Sequence, residues 1–222
     1  MPSSPRTLRA AVVGVTVVAT LTSCATVTVT HSLREGAVAA TTSSTPSALV
    51  TPDQAAAPVP QRSLAPPGRA AFGDSVMLGA KAELVSRRVR VDAVVGRQFH
   101  SGIALLGRAA GSGTLPRNVI VHLGTNGTAS VADCRRIVDQ LGDTRRAFFV
   151  TVHGPRSWMV TDNSHLAQCA AAYPDRHVVL IPWDSTANRH PEWFYADGIH
   201  LNGSGRAAYA ALVSQVVDAF GL

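Results

Sequence analysis

The run NVIVHL at 118–123 is apolar at most positions and rich in β-branched side chains. A strand on the face of an open sheet alternates apolar and polar residues, whereas a near-continuous apolar run is the pattern of a strand buried on both faces. Further runs of the same kind stand at 69–72, 89–95, 147–152 and 178–181. Helical spacing fills the intervals at 76–87, 99–109, 131–141 and 165–172, and a last amphipathic stretch follows Asn202-Gly203-Ser204, from about 205 to 220. Buried strands alternating with helices predict a parallel sheet covered on both sides. The expected fold is a three-layer α/β/α sandwich of flavodoxin-like type, with a central, mostly parallel sheet of about five strands.

These elements occupy only 69–222 of the 222 residues, a length that suits one domain with a substantial core. Residues 1–24 read as a secretory signal, with Arg6 and Arg9 ahead of an uncharged Ala, Val and Thr stretch. Leu21-Thr22-Ser23-Cys24 fits a lipobox, in which Cys24 is the lipidated residue. An uncleaved signal anchor and a plain secreted protein are the two other readings, and all three place the domain outside the cytoplasm. Residues 25–68 are rich in Ala, Pro, Ser and Thr and too poor in large apolar side chains to offset the entropy of ordering; they are expected to form a disordered tether.

Within 69–222, 16 Lys and Arg stand against 12 Asp and Glu, a net charge of +4. The cations are scattered, as on a solvated basic surface, and do not form the clustered footprint of a nucleic-acid site. With Cys24 assigned to lipid, Cys134 and Cys169 remain. Each lies in an expected helix, and consecutive right-handed crossovers put those two helices on one face of the sheet. In an oxidising compartment this pair reads as one disulfide, with two buried free thiols as the alternative. The histidines show no metal-ligand spacing, and no Gly-rich nucleotide loop is present, so neither a metal nor another cofactor is expected.

Ser75 follows the first expected strand within Gly73-Asp74-Ser75. Serine is a weak nucleophile until a base takes its proton and an acid orients that base. Asp197 and His200, three residues apart in one late loop, can supply both. Alone, Ser75 would read as a helix N-cap and His200 as a surface histidine. Asn126, in Gly124-Thr125-Asn126-Gly127, can aim a side-chain amide at a developing oxyanion, or can be a simple turn residue. Gly96 can present a backbone N–H or merely end its strand. Asp74 is read as bonding backbone groups around the serine turn, and Arg97 as a solvated cation by default, with contact to an anionic group as the other reading. Ser75, Gly96 and Asn126 each follow an expected strand, so all three fall on the carboxyl edge of the sheet, where ligands of such folds bind. Trp158, Trp183 and Trp193 are placed in or near loops on that side, as hydrophobic lids or sugar-stacking faces.

In this order the blocks Gly73–Ala80, Val95–Gln98, Gly124–Gly127 and Tyr195–Leu201 resemble the SGNH (GDSL-type) hydrolases and acyltransferases. Within that superfamily they are most similar to the extracytoplasmic catalytic domain of peptidoglycan O-acetyltransferases, in which Gly likewise follows the block asparagine, as Gly127 does here. The resemblance covers nearly all of 69–222. It implies Ser75 as acyl carrier, His200 as base and acid, Asp197 as its orienter, and Asn126 with the Ser75 N–H as oxyanion donors. It implies an acyl-ester donor and a glycan acceptor. In those proteins a multi-span membrane domain supplies the acetyl group, whereas the long apolar segment of these 222 residues is the N-terminal one. A separate membrane acyltransferase or a soluble metabolite is therefore the expected donor. The expected activity is serine-dependent O-acetyl transfer to, or removal from, cell-envelope glycan; general carboxylesterase or lipase activity and an idle glycan-binding lipoprotein are the alternatives.

Overall fold

The computed structural model describes residues 65–222 apart from 174 and 176. The expected signal segment with Cys24, and the tether up to residue 64, lie outside the described residues. Five strands, β1 (Arg69–Gly73), β2 (Val89–Ala93), β3 (Asn118–His122), β4 (Arg146–Val150) and β5 (Val178–Ile181), form one sheet in the order β2-β1-β3-β4-β5. Every pairing is parallel. The order reverses beside β1, which places the switch point, and the crevice it opens, at the end of the strand that leads into Ser75.

Alternation along the strands sorts the side chains into two cores. Ala70, Phe72, Val119, Val121, Ala147 and Phe149 pack with α3 (Phe99–Gly111), α4 (Val131–Leu141) and α5 (Met159–Ala171). Ala71, Ile120, Phe148 and Val150 pack on the other face, with α1 (Ser75–Gly79), α2 (Lys81–Ser86), α6 (Trp183–Ala187) and α7 (Gly203–Phe220). The three-layer arrangement follows directly from this period of two. Cys134 of α4 and Cys169 of α5 are fully buried in the first core, and their sulfurs are joined in a disulfide.

Four local features differ from the sequence expectation. The helix expected over 76–87 is two short helices that meet at Ala80 (φ −94°, ψ 11°), next to the poor helix former Gly79. The strand expected to reach Val95 stops at Ala93, and Val94 and Val95 stand exposed in the following turn. Trp183 is no lid: it lies in α6, 1% exposed, edge-on to Tyr209 and stacked on Trp193. The segment from Ala65 to Gly68, assigned to the tether, docks on the domain, with Ala65 buried and its carbonyl accepting from the Arg117 side chain. Among the described residues no helix is long and apolar enough to cross a membrane.

Candidate active site

β1 delivers its last residue, Gly73, under the first turn of α1. A Cβ on Gly73 would stand 2.5 Å from the Cβ of Met77, so only glycine admits this close crossing. Asp74 is the N-cap: its Oδ1 accepts the Val76 N–H at 3.0 Å, and its own N–H donates to the carbonyl of His122. Ser75 is therefore the first helical residue, and its N–H has no intrahelical acceptor. The capping role that Ser75 alone would suggest falls to Asp74, which leaves the serine hydroxyl free for other partners.

One such partner arrives from a loop 125 residues later. His200 Nε2 lies 3.0 Å from Ser75 Oγ, and His200 Nδ1 lies 2.6 Å from Asp197 Oδ2. Asp197 is fixed from below, because its Oδ1 accepts the N–H groups of Ile199 and His200 at 2.9 Å each. The hydrogen bond from His200, followed by these two backbone bonds, draws the Asp197 carboxyl from its usual 3.8 down to about 2. An imidazole so held can take the hydroxyl proton, and the carboxylate can stabilise the imidazolium that results. The loop is anchored by Ile199 and Leu201, both buried, and by the bridge from Phe194 to Leu201. The dyad itself stays open to solvent, with the side chains of His200 and Asp197 46% and 47% exposed.

Asn126 follows β3 on the same edge. Its amide Nδ2 is shielded from solvent yet has no hydrogen-bond acceptor, a donor left for a group that the protein does not provide. Three side chains at the start of α5 and just before it hold this loop. Trp158 Nε1 donates to the carbonyl of Gly124 at 2.9 Å, His165 Nδ1 lies 2.7 Å from the carbonyl of Ala129, and buried Asp162 accepts a backbone hydrogen bond from Ala129. Burial pushes the Asp162 carboxyl above its ordinary value. None of the three carries a local sequence signal, because each acts on a loop some 30 residues away.

Gly96 occupies the exposed turn after β2, with φ 72° in the left-handed region that suits glycine. Arg97 departs from the solvated role expected of it. Its side chain is 10% exposed and bonds Asp92 and the carbonyl of Gly73. Beneath the serine turn lies a second unanticipated group. His122, at the end of β3, is fully buried and shares a hydrogen bond of 2.8 Å with the Tyr209 hydroxyl. Burial holds the His122 imidazole below its usual value against the opposing pull of Asp74, and holds the Tyr209 hydroxyl well above its own. A histidine inside an otherwise apolar buried run was the one available hint that a polar partner must meet it. Trp193, by contrast, is half-buried, packed on the second core and stacked on His190 with ring centroids 3.9 Å apart. Among the described residues, no group of three His, Cys, Asp or Glu side chains is placed to hold a metal ion.

The C-terminal catalytic domain of peptidoglycan O-acetyltransferase A from Streptococcus pneumoniae, solved with a methylsulfonyl adduct, superposes with a TM-score of 0.63 at 19% identity, over 69% of this chain and 94% of that domain. A lipase/acylhydrolase of Enterococcus faecalis superposes with a TM-score of 0.54 at 16% identity, over 68% and 96%. This is an SGNH fold. In sequence, the SGNH domain is 32% identical over 149 residues to YrhL of Bacillus subtilis, named as a candidate peptidoglycan O-acetyltransferase, and 31% identical over 150 residues to the peptidoglycan O-acetyltransferase OatA of Listeria monocytogenes. These matches cover 66% and 67% of this chain but only 23% and 24% of the relatives, so the chain spans about a quarter of their length. No family model matches the chain.

Proposed function

We propose that the SGNH domain is an exported acyl-ester enzyme that works through an acyl-Ser75 intermediate and adds O-acetyl groups to cell-envelope glycan, or removes them. The observation that carries this reading is the contact chain from Ser75 Oγ through His200 to Asp197, at 3.0 and 2.6 Å. In the proposed reaction His200 takes the proton of Ser75 as Oγ attacks the ester carbonyl. The Asn126 amide and the N–H groups of Ser75 and Gly96 hold the oxyanion, and His200 then protonates the leaving alcohol. In the second half His200 deprotonates the acceptor, which attacks the acyl carbonyl and releases Ser75. A sugar hydroxyl as acceptor makes the enzyme a transferase, and water makes it an esterase.

The names of the sequence relatives support transfer to peptidoglycan, with a separate membrane acyltransferase as the proposed acetyl donor and the N-terminal segment as the tether to the membrane. A second reading, hydrolysis, is favoured by one observation: half-exposed His200 and Asp197 leave water a direct path to the acyl group. Purified protein and its Ser75→Ala variant, given an activated acetyl ester and wall-type oligosaccharides, separate the cases by mass spectrometry. Acetylated sugar that depends on Ser75 establishes transfer, and free acetate alone establishes hydrolysis. Equal product from both proteins removes Ser75 as nucleophile and leaves the glycan-binding lipoprotein.

A further inference from the structure

Two of the proposed oxyanion donors, the N–H groups of Ser75 and Gly96, lie just beyond the ends of two different strands, β1 and β2. Backbone donors in separate turns act together only if the spacing between those turns is fixed to a fraction of an ångström. The sheet ladder does not provide this, because its last β1–β2 register pair, Gly73 with Ala93, comes before both turns. Beyond it the main chain offers one strut, the Val94 N–H donating to the Gly73 carbonyl at 3.3 Å, and a long closure of the Gly96 turn, from Arg97 N–H to the Val94 carbonyl at 3.5 Å.

Arg97 adds what the main chain lacks. Its side chain folds back beneath the turn, and Nη1 donates to the Asp92 carbonyl at 2.7 Å and to the Gly73 carbonyl at 3.2 Å. Nη2 donates to Asp92 Oδ1 at 2.7 Å. One planar guanidinium thus grips the end of β2 twice and reaches the last carbonyl of β1, two residues before Ser75. Its own backbone forms the residue after Gly96. A cation that is only 10% exposed, on a turn whose other residues are exposed, costs desolvation that a solvated arginine would avoid. The fork geometry also explains the residue type: the compact charge of lysine can meet one of these acceptor groups but not the whole set.

We propose that Arg97 is a positioning residue that, with Asp92 as its counter-charge, locks the Gly96 turn to the Ser75 turn and sets the spacing of the two backbone oxyanion donors. The inference rests on the acyl-Ser75 reading. The test uses the full chain with Arg97→Gln and Arg97→Lys, alone and combined with Asn126→Ala, and Ser75→Ala as reference, assayed for hydrolysis of an activated acetyl ester. Arg97→Gln is expected to lower kcat by roughly 100-fold, the scale of an ångström's misplacement at a reacting centre. KM should stay within about 2-fold and the pH–rate profile should keep its shape, because the His200–Asp197 pair is not touched. Arg97→Lys should fall between Gln and the native residue. Since Arg97 and Asn126 serve one oxyanion, the loss from Arg97→Gln should be markedly smaller in the Asn126→Ala background. Native-like kcat, a change confined to KM, or full additivity with Asn126→Ala overturns the proposal. If Arg97→Gln does not fold, Arg97→Lys decides on the same readouts. Should Ser75→Ala keep native activity, the acyl-Ser75 reading itself falls; should Ser75→Ala be inactive while both Arg97 variants are native-like, only the role of Arg97 falls.

Discussion

At the scale of single residues, the site is defined by how few bonds fix each group. Asp197 spends one carboxylate oxygen on two backbone N–H groups and the other on His200, so its charge is held by three donors. Its carboxyl is displaced downward, so the stability that the contact contributes is complete above the ordinary value of 3.8 and is lost as pH falls from there through about 2. A carboxyl titration followed by NMR should therefore show a midpoint near 2 for Asp197, and His200→Ala, which removes the largest cause, should move it back towards 3.8. Asp197→Asn should leave the fold intact and lower kcat by about four orders of magnitude, through loss of imidazole orientation. Asn126→Ala removes a donor that has no internal partner, so its cost should fall on catalysis, with about 3 kcal/mol added to the barrier and the melting temperature nearly unchanged. Steady-state kinetics beside a thermal melt check both.

At the scale of elements, the strands and most helices could be read from the chain because local pattern and global packing agree. The runs at 131–141 and 178–181 carry their buried face in their own spacing and were legible to the residue. The five-residue α6 was not, since one and a half turns give too little periodicity, and Trp183 looks like a loop aromatic until Tyr209 and Trp193 close over it. The exposed Val94 and Val95 look like strand in the sequence because β-branched residues raise strand propensity wherever they stand, while Gly96 and Arg97 decide the turn. For the site, Ser75, Asn126, Asp197 and His200 were legible as residue types at spacings that chemistry requires. The supports were not, because Arg97, Trp158, Asp162 and His165 act across tertiary contacts that no spacing encodes. The disulfide is the element-scale staple: it fastens α4, which the Asn126 loop enters, to α5, whose first turns grip that loop. Closing a loop of 35 residues, it is worth about 4 kcal/mol, so Cys134→Ala with Cys169→Ala should lower the unfolding free energy extrapolated from urea by about that much and steepen the slope, because the unfolded chain is released from its constraint.

At the scale of the whole molecule, acid acts on stability through the buried core of the site. His122 is held neutral by burial, whereas in the unfolded chain it titrates near 6.5. The unfolded state therefore takes up a proton that the native state refuses, and stability declines as pH falls through 6.5 and below. Denaturant unfolding at stepped pH should show this decline, and His122→Gln should flatten it in that range. The N-terminal reading is tested in cells: Cys24→Ser should move the protein from the membrane fraction to the medium or soluble fraction if Cys24 is lipidated. The open position of His200 and Asp197 carries a wider consequence. On the proposed acyl-Ser75 reading, an acyl group beside so open a dyad is in a race, and water, present at the highest concentration, starts ahead. Such a site can favour a sugar only by proximity: the polymer strand must be held so that its hydroxyl has an effective molarity above that of the solvent. On that reading the direction of the chemistry is a property of where the molecule is moored: the same Ser75 would add groups when pressed against a wall and remove them when adrift.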